Sequence, residues 1–137
     1  MSSKRILIVA NQTAGGSHLV KEVERRLGEG PCEFFIVCPA TPPVASLTWD
    51  EKEVKDAARL RLDTASERLR QVGASVDGAV GDYHPMAAVR DVMLQREFDE
   101  VIVSTFPHGI SEWLKIDLPS RIGRASGLPV THVESSE

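Results

Sequence analysis

The chain has 137 residues, 42% of them apolar and 26% charged, with a net charge of −4. That length suits one domain, residues 1–137, able to bury roughly two thirds of its unfolded surface. The interspersed acidic and basic residues give no electrostatic drive toward DNA, RNA or an anionic membrane. The apolar run 6–10 is far too short for a signal-peptide core or a membrane span, so the sequence reads as cytoplasmic.

The first strand is expected over 4–10, where residues 6–10 are continuously apolar, as in a strand covered on both faces. Asn11, Gln12, Thr13, Ala14, Gly15, Gly16 and Ser17 form a turn into a helix. That helix carries Leu19, Val20, Val23 and Leu27 on one side and Lys21, Glu22, Glu24 and Arg25 on the other. Gly28, Gly30 and Pro31 stop it. A second apolar strand spans 33–38, followed by a rigid connector over 39–43. Asp50 has the character of an N-cap, with Glu51 and Glu53 in the first turn of a long helix reaching about residue 72. Val54, Ala58, Leu62, Ala65, Leu69 and Val72 form its apolar stripe. Arg59, Arg61, Arg68 and Arg70 are read as a solvated face.

Gly73 ends that helix, and residues 74–80 alternate as a third strand. Residues 81–85 turn into a third helix, with Pro85 suited to its first position and Ala88, Val89, Val92 and Met93 as its core face. The fourth strand covers 100–104. It leads through Phe106, Pro107, His108 and Gly109 into a helical segment entered through Ser111. Pro119 begins the last helix, which carries Ile122 and Ala125. Gly127, Leu128 and Pro129 then lead to a last strand over 130–133, flanked by Val130 and Val133.

Strands alternating with helices in this way predict an α/β, doubly wound parallel sheet of five strands with helices on both faces. Strands one, two and four are apolar throughout and belong in the centre. Strands three and five alternate and belong at the edges. This selects the order 3-2-1-4-5 over 2-1-3-4-5. The winding then reverses between strands one and four, and a ligand crevice opens there between the turn 11–17 and the loop 104–111.

The candidate ligand-binding residues are Asn11, Gln12, Thr13, Cys38, Ser104, Thr105, His108, Gly109 and Arg121. Ser104 and Thr105 can bond a phosphate or a ribose, or satisfy the backbone at the strand end. His108 can meet an anionic ligand as an imidazolium, or be a solvated loop residue. His132 lies on the expected edge strand, as an interface residue. Arg121 either pairs with Asp117 or serves as a cation beside the loop. Trp113 and Leu114 read as anchors of the loop. Cys32 and Cys38 sit about 20 Å apart along one strand, beyond disulfide reach, and read as small buried thiols. No Walker loop, dinucleotide glycine pattern, nucleophile elbow or metal-ligand spacing among His18, His84, His108 and His132 is present.

Four stretches carry a family resemblance that covers nearly the whole chain. ILIVAN at 6–11, VGD at 80–82, FDEVIVS at 98–104 and LPV at 128–130 resemble the first strand, the turn after strand three, the fourth strand and the last strand of universal stress proteins. ANQT at 10–13, STFPHGISEWLKIDLPSR at 104–121 and GLPVTHV at 127–133 together resemble a divergent group of single-domain relatives found in actinobacteria. The resemblance implies a Rossmann-like 3-2-1-4-5 sheet and homodimers, often through the last strand.

It also marks departures. ATP-binding members carry two spaced glycines and then Gly-Ser or Gly-Thr after strand four, where backbone N–H groups cradle phosphate. Here Ser104 takes the first glycine position, and Pro107 falls on or next to the second with no N–H to give. Lys115, Ile116, Asp117 and Leu118 occupy the third region, where Asp117 repels phosphate, and Asn11 replaces the usual acidic residue. The expected function is thus a non-catalytic ligand-binding or regulatory domain without the usual ATP cradle. Any adenine nucleotide would be held by Asn11, Ser104, Thr105 and His108. The competing classes are a nucleotide hydrolase or transferase using the same crevice, and a protein–protein adaptor that has lost its ligand.

Overall fold

A computed structural model of the chain describes residues 3–11, 13, 16–40, 50–106 and 112–134. Its elements run β1 (Lys4–Val9), α1 (Ser17–Glu29), β2 (Cys32–Pro39), α2 (Glu51–Gln71), β3 (Ser75–Gly81), α3 (Pro85–Gln95), β4 (Glu100–Thr105), α4 (Glu112–Lys115), α5 (Leu118–Ser126) and β5 (Val130–Glu134). The five strands form one parallel sheet in the order β3-β2-β1-β4-β5. The order follows from hydropathy as expected. Ile6 to Val9, Ile36, Val37 and Val101 to Val103 are fully buried, whereas every residue of β3 and β5 keeps some exposure.

Alternation along the strands sends side chains to two separate cores. Ile6, Ile8, Ile36 and Ile102 face α1 and α2, meeting Leu19, Val23, Ala58, Leu62 and Leu69. Leu7, Val9, Val37 and Val103 face α3 and α5, meeting Ala88, Val89, Leu118 and Ile122. Trp113 packs against the edge of this second core. Ala125, expected to be buried, is exposed; the short α5 spends Leu118 and Ile122 on the core and turns its next position outward.

Local signals set the ends of the helices. Asp50 caps α2, its carboxylate accepting the Lys52 backbone N–H at 2.8 Å. The stripe of α2 packs so closely on the edge strand that a Cβ on Gly78 would stand 2.7 Å from both the Ile36 carbonyl oxygen and Leu62 Cδ1. Only glycine allows that approach. Gly127 ends α5 in the left-handed region at φ 70°, its N–H returning to the Gly123 carbonyl at 2.8 Å. Asp117, just ahead of α5, is the only non-glycine described residue with positive φ, at 54°.

Candidate functional site

The sheet order puts the C-terminal ends of β1 and β4 side by side, with α1 following the first and a helical segment following the second. Asn11 lies just past β1 and is buried. Its Nδ2 donates to the Pro39 carbonyl at 3.0 Å, tying the end of β1 to the end of β2. Its Oδ1 accepts from Arg61 Nη1 at 2.8 Å. Thr13, also buried, shares a 2.7 Å hydrogen bond with the Ser104 hydroxyl and so closes the β1 turn against the end of β4. Cys38 is fully buried, its Sγ 3.9 Å from Asn11 Oδ1. Burial pushes its thiol pKa up to about 11, with the nearby Arg61 pulling the other way. The thiol is therefore protonated at neutral pH and is a poor nucleophile.

Of the expected residues, Asn11 thus meets Cys38 between the ends of β1 and β2, and Thr13 meets Ser104 across the ends of β1 and β4. Thr105 turns elsewhere. Its hydroxyl donates to the Phe106 carbonyl at 2.8 Å and stands 2.7 Å from His132 Nε2 on the edge strand β5. The side chain of Arg121 is exposed on α5; its backbone N–H bonds the Asp117 carbonyl at 3.1 Å, and no ion pair joins the two side chains. Gln12, His108 and Gly109 lie outside the described residues. Among the described residues there is no cluster of His, Cys, Asp or Glu able to hold a metal ion, and no helix is long and apolar enough to cross a membrane.

The structure adds one residue to this group. Arg61, read from the sequence as part of a solvated face, is half-buried and reaches the end of β1, while Arg59, Arg68 and Arg70 are exposed as expected. Its place was detectable. It follows Ala58 by three positions and precedes Ala65 by four, so it borders the buried stripe of α2. An arginine there buries its stem and carries the guanidinium to the rim of the core.

A second arginine, to which the sequence reading gave no role, lies at the opposite end of the sheet. Arg26 on α1 is buried, at the position that continues Leu19 and Val23 by helical spacing. Its Nε donates to Glu22 at 2.7 Å, its Nη1 to Glu100 at 2.5 Å and its Nη2 to Thr131 at 2.7 Å. Lys4 Nζ reaches the other oxygen of Glu100 at 2.7 Å. Burial pushes the Glu100 carboxyl up, but the hydrogen bonds from Lys4 and Arg26 outweigh it and hold its pKa below the ordinary value of 4.5. Glu22 behaves alike under Arg25 and Arg26.

With this geometry in view, the likeness to known proteins is informative. No protein-family model matches the chain, and no curated protein sequence matches it. Solved structures do. The chain is similar to a universal stress protein in complex with cAMP, at TM-score 0.64 and 15% identity over 99% of this chain and 100% of that one. It is also similar to a universal stress protein from Archaeoglobus fulgidus, at TM-score 0.65 and 13% identity over 97% of this chain and 95% of that one. The five-stranded sheet with helices on both sides is therefore the universal stress protein fold, the fold to which the sequence resemblance pointed.

Proposed function

We propose that this chain is a non-catalytic, ligand-binding or regulatory domain, and that an adenine nucleotide seated at the switch point is held by contacts other than a glycine cradle. One observation carries the non-catalytic part. The nucleophilic and polar groups at the switch point are spent on one another: Ser104 on Thr13, Asn11 on Pro39 and Arg61, and Cys38 as a buried, protonated thiol. A serine or cysteine nucleophile needs a general base or a lowered pKa to act. Among the described residues Ser104 has a threonine hydroxyl as its partner instead of a base, and the pKa of Cys38 is raised. The adenine nucleotide as ligand is supported by the likeness to a protein of this fold that holds cAMP. The reading extends to a cytoplasmic homodimer that pairs through β5, as the family resemblance implies.

Equilibrium dialysis of the purified protein with ATP, AMP and cyclic AMP is the test, with product analysis on the same samples. Binding of at least one nucleotide without turnover is expected. Turnover of any of the three would overturn the non-catalytic reading. No binding of any of them would leave the adaptor in its place. Sedimentation velocity checks the dimer, and His132→Pro, which removes a backbone N–H on the outer side of the edge strand, is expected to shift it toward monomer.

A further inference from the structure

Arg61 stands out among the half-buried charges of this molecule. A guanidinium carries several N–H donors and no acceptor. Only one of these donors is used within the described residues, on the neutral Oδ1 of Asn11. No Asp or Glu among the described residues forms an ion pair with it. Removing a cation partly from water without a counter-charge is costly, and folded proteins normally compensate it. The backbone and Asn11 make this cost permanent. Asn11 is fixed by Pro39 on its other side, so its oxygen is held toward the arginine and cannot turn away. The field of Arg61 is also felt at Cys38, beneath Asn11. The guanidinium is therefore held at the C-terminal ends of β1 and β2, on the β2 side of the β1–β4 switch point where an open α/β sheet receives ligands.

We propose that Arg61 is the anion-recognising residue of this crevice, and that its N–H donors not used among the described residues take an oxyanion, a phosphate carried by a nucleotide or free in solution. Arginine suits the task because its planar fork bonds two oxygens of one phosphate or carboxylate at once. It comes from α2, on the β2 side of β1, whereas the loop that bears a glycine cradle in ATP-binding relatives follows β4. The charge recognition is thus moved to the other side of β1. Asn11 is a positioning residue in this arrangement, since an aspartate there would neutralise the guanidinium and compete with the ligand for it. The nucleotide as carrier of the phosphate rests on the function proposed above; the oxyanion itself rests on Arg61.

The test uses the full chain. AMP and adenosine, which differ by the phosphate, are titrated into wild-type protein, Arg61→Gln and Arg61→Lys. Inorganic phosphate is titrated separately while the Arg61 Nε–H resonance is followed by NMR. AMP is expected to bind wild type at least about tenfold more tightly than adenosine, the scale of one charged hydrogen bond. Arg61→Gln is expected to erase that preference and Arg61→Lys to keep part of it, while adenosine affinity stays unchanged in both. A shift of the Nε–H resonance with inorganic phosphate but no gain for AMP over adenosine would support the oxyanion site and remove the nucleotide as its carrier. A phosphate preference that survives in Arg61→Gln would overturn the proposal and leave nucleotide binding intact. An Nε–H resonance unmoved by both AMP and phosphate would overturn it without any variant having to fold.

Discussion

Two half-hidden arginines, one at each end of the sheet, are handled in opposite ways. At the N-terminal end Arg26 spends its guanidinium on Glu22, Glu100 and Thr131, and Lys4 completes the set through Glu100. At the C-terminal end Arg61 has, among the described residues, a single bond to a neutral carboxamide. The first arrangement joins α1 to β4 and β5 and gives each of the three guanidinium nitrogens a partner. The second leaves a cation beside the end of β1 with no acidic partner among the described residues. The difference teaches how to separate scaffold from candidate site without relying on conservation: a buried charge matched by counter-charges belongs to the fold, and one under-matched beside a sheet switch point is the place to test for a ligand.

That contrast can be broken most decisively at Arg26. Arg26→Met leaves Glu22 and Glu100 without their shared guanidinium, and loss of one partner from a buried ion network costs about 3 kcal/mol. The urea midpoint should fall accordingly, while Arg61→Gln should move it by no more than about 0.5 kcal/mol. Equal losses in the two variants would erase the distinction.

A smaller effect is expected from the hydroxyl pair that closes the crevice. Ser104→Ala leaves the Thr13 hydroxyl buried without its partner and should cost about 1–2 kcal/mol. Adding Thr13→Val should recover part of that loss, because no orphaned hydroxyl then remains. A double variant as unstable as the sum of the two singles would show that the pair is not coupled.

Acidity sharpens the comparison further. The folded pKa values of Glu22 and Glu100 lie below 4.5, so these carboxylates contribute stability that is fully present above their unfolded pKa and is lost as pH falls through the folded values. Urea titrations below about pH 4.5 should show a declining midpoint, and Arg26→Met should flatten that decline. An unchanged acid limb in the variant would contradict the network. The smallest effect falls at Cys38. With a thiol near pKa 11 and no exposure, it should react with iodoacetamide at pH 8 far more slowly than the partly exposed Cys32, a ratio readable by mass spectrometry.

Strand order was legible because burial on two faces leaves a continuous apolar run, while an edge strand must alternate. Residues 6–9 and 101–103 announced the centre in that way. The adjacency of β1 and β4 was legible for the same topological reason, and it brings Thr13 to Ser104. Chain position alone could not show which way a hydroxyl turns. Thr105 follows Ser104 directly, yet adjacent side chains on a strand face opposite sides, and Thr105 bonds His132 instead. Arg61 escaped because sorting a helix by apolar and charged faces assigns its arginines to water, although a long stem can follow a buried stripe to a distant partner, and Arg26 drew no reading from the apolar pattern at all. Both stand at stripe spacing, and an arginine in such a place is the signal to heed.

The Thr13–Ser104 bond also has a consequence for how the chain comes apart. It joins positions 91 residues apart, across the β1–β4 seam where the later-synthesised part of the sheet meets the earlier part. Closing so long a loop is entropically slow, and such contacts govern the rate of folding more than local ones do. A ligand bridging this seam would act as a reversible clasp between the two parts of the chain. It would lengthen the lifetime of the native protein against proteolysis in proportion to how much better it binds the closed seam than the open one.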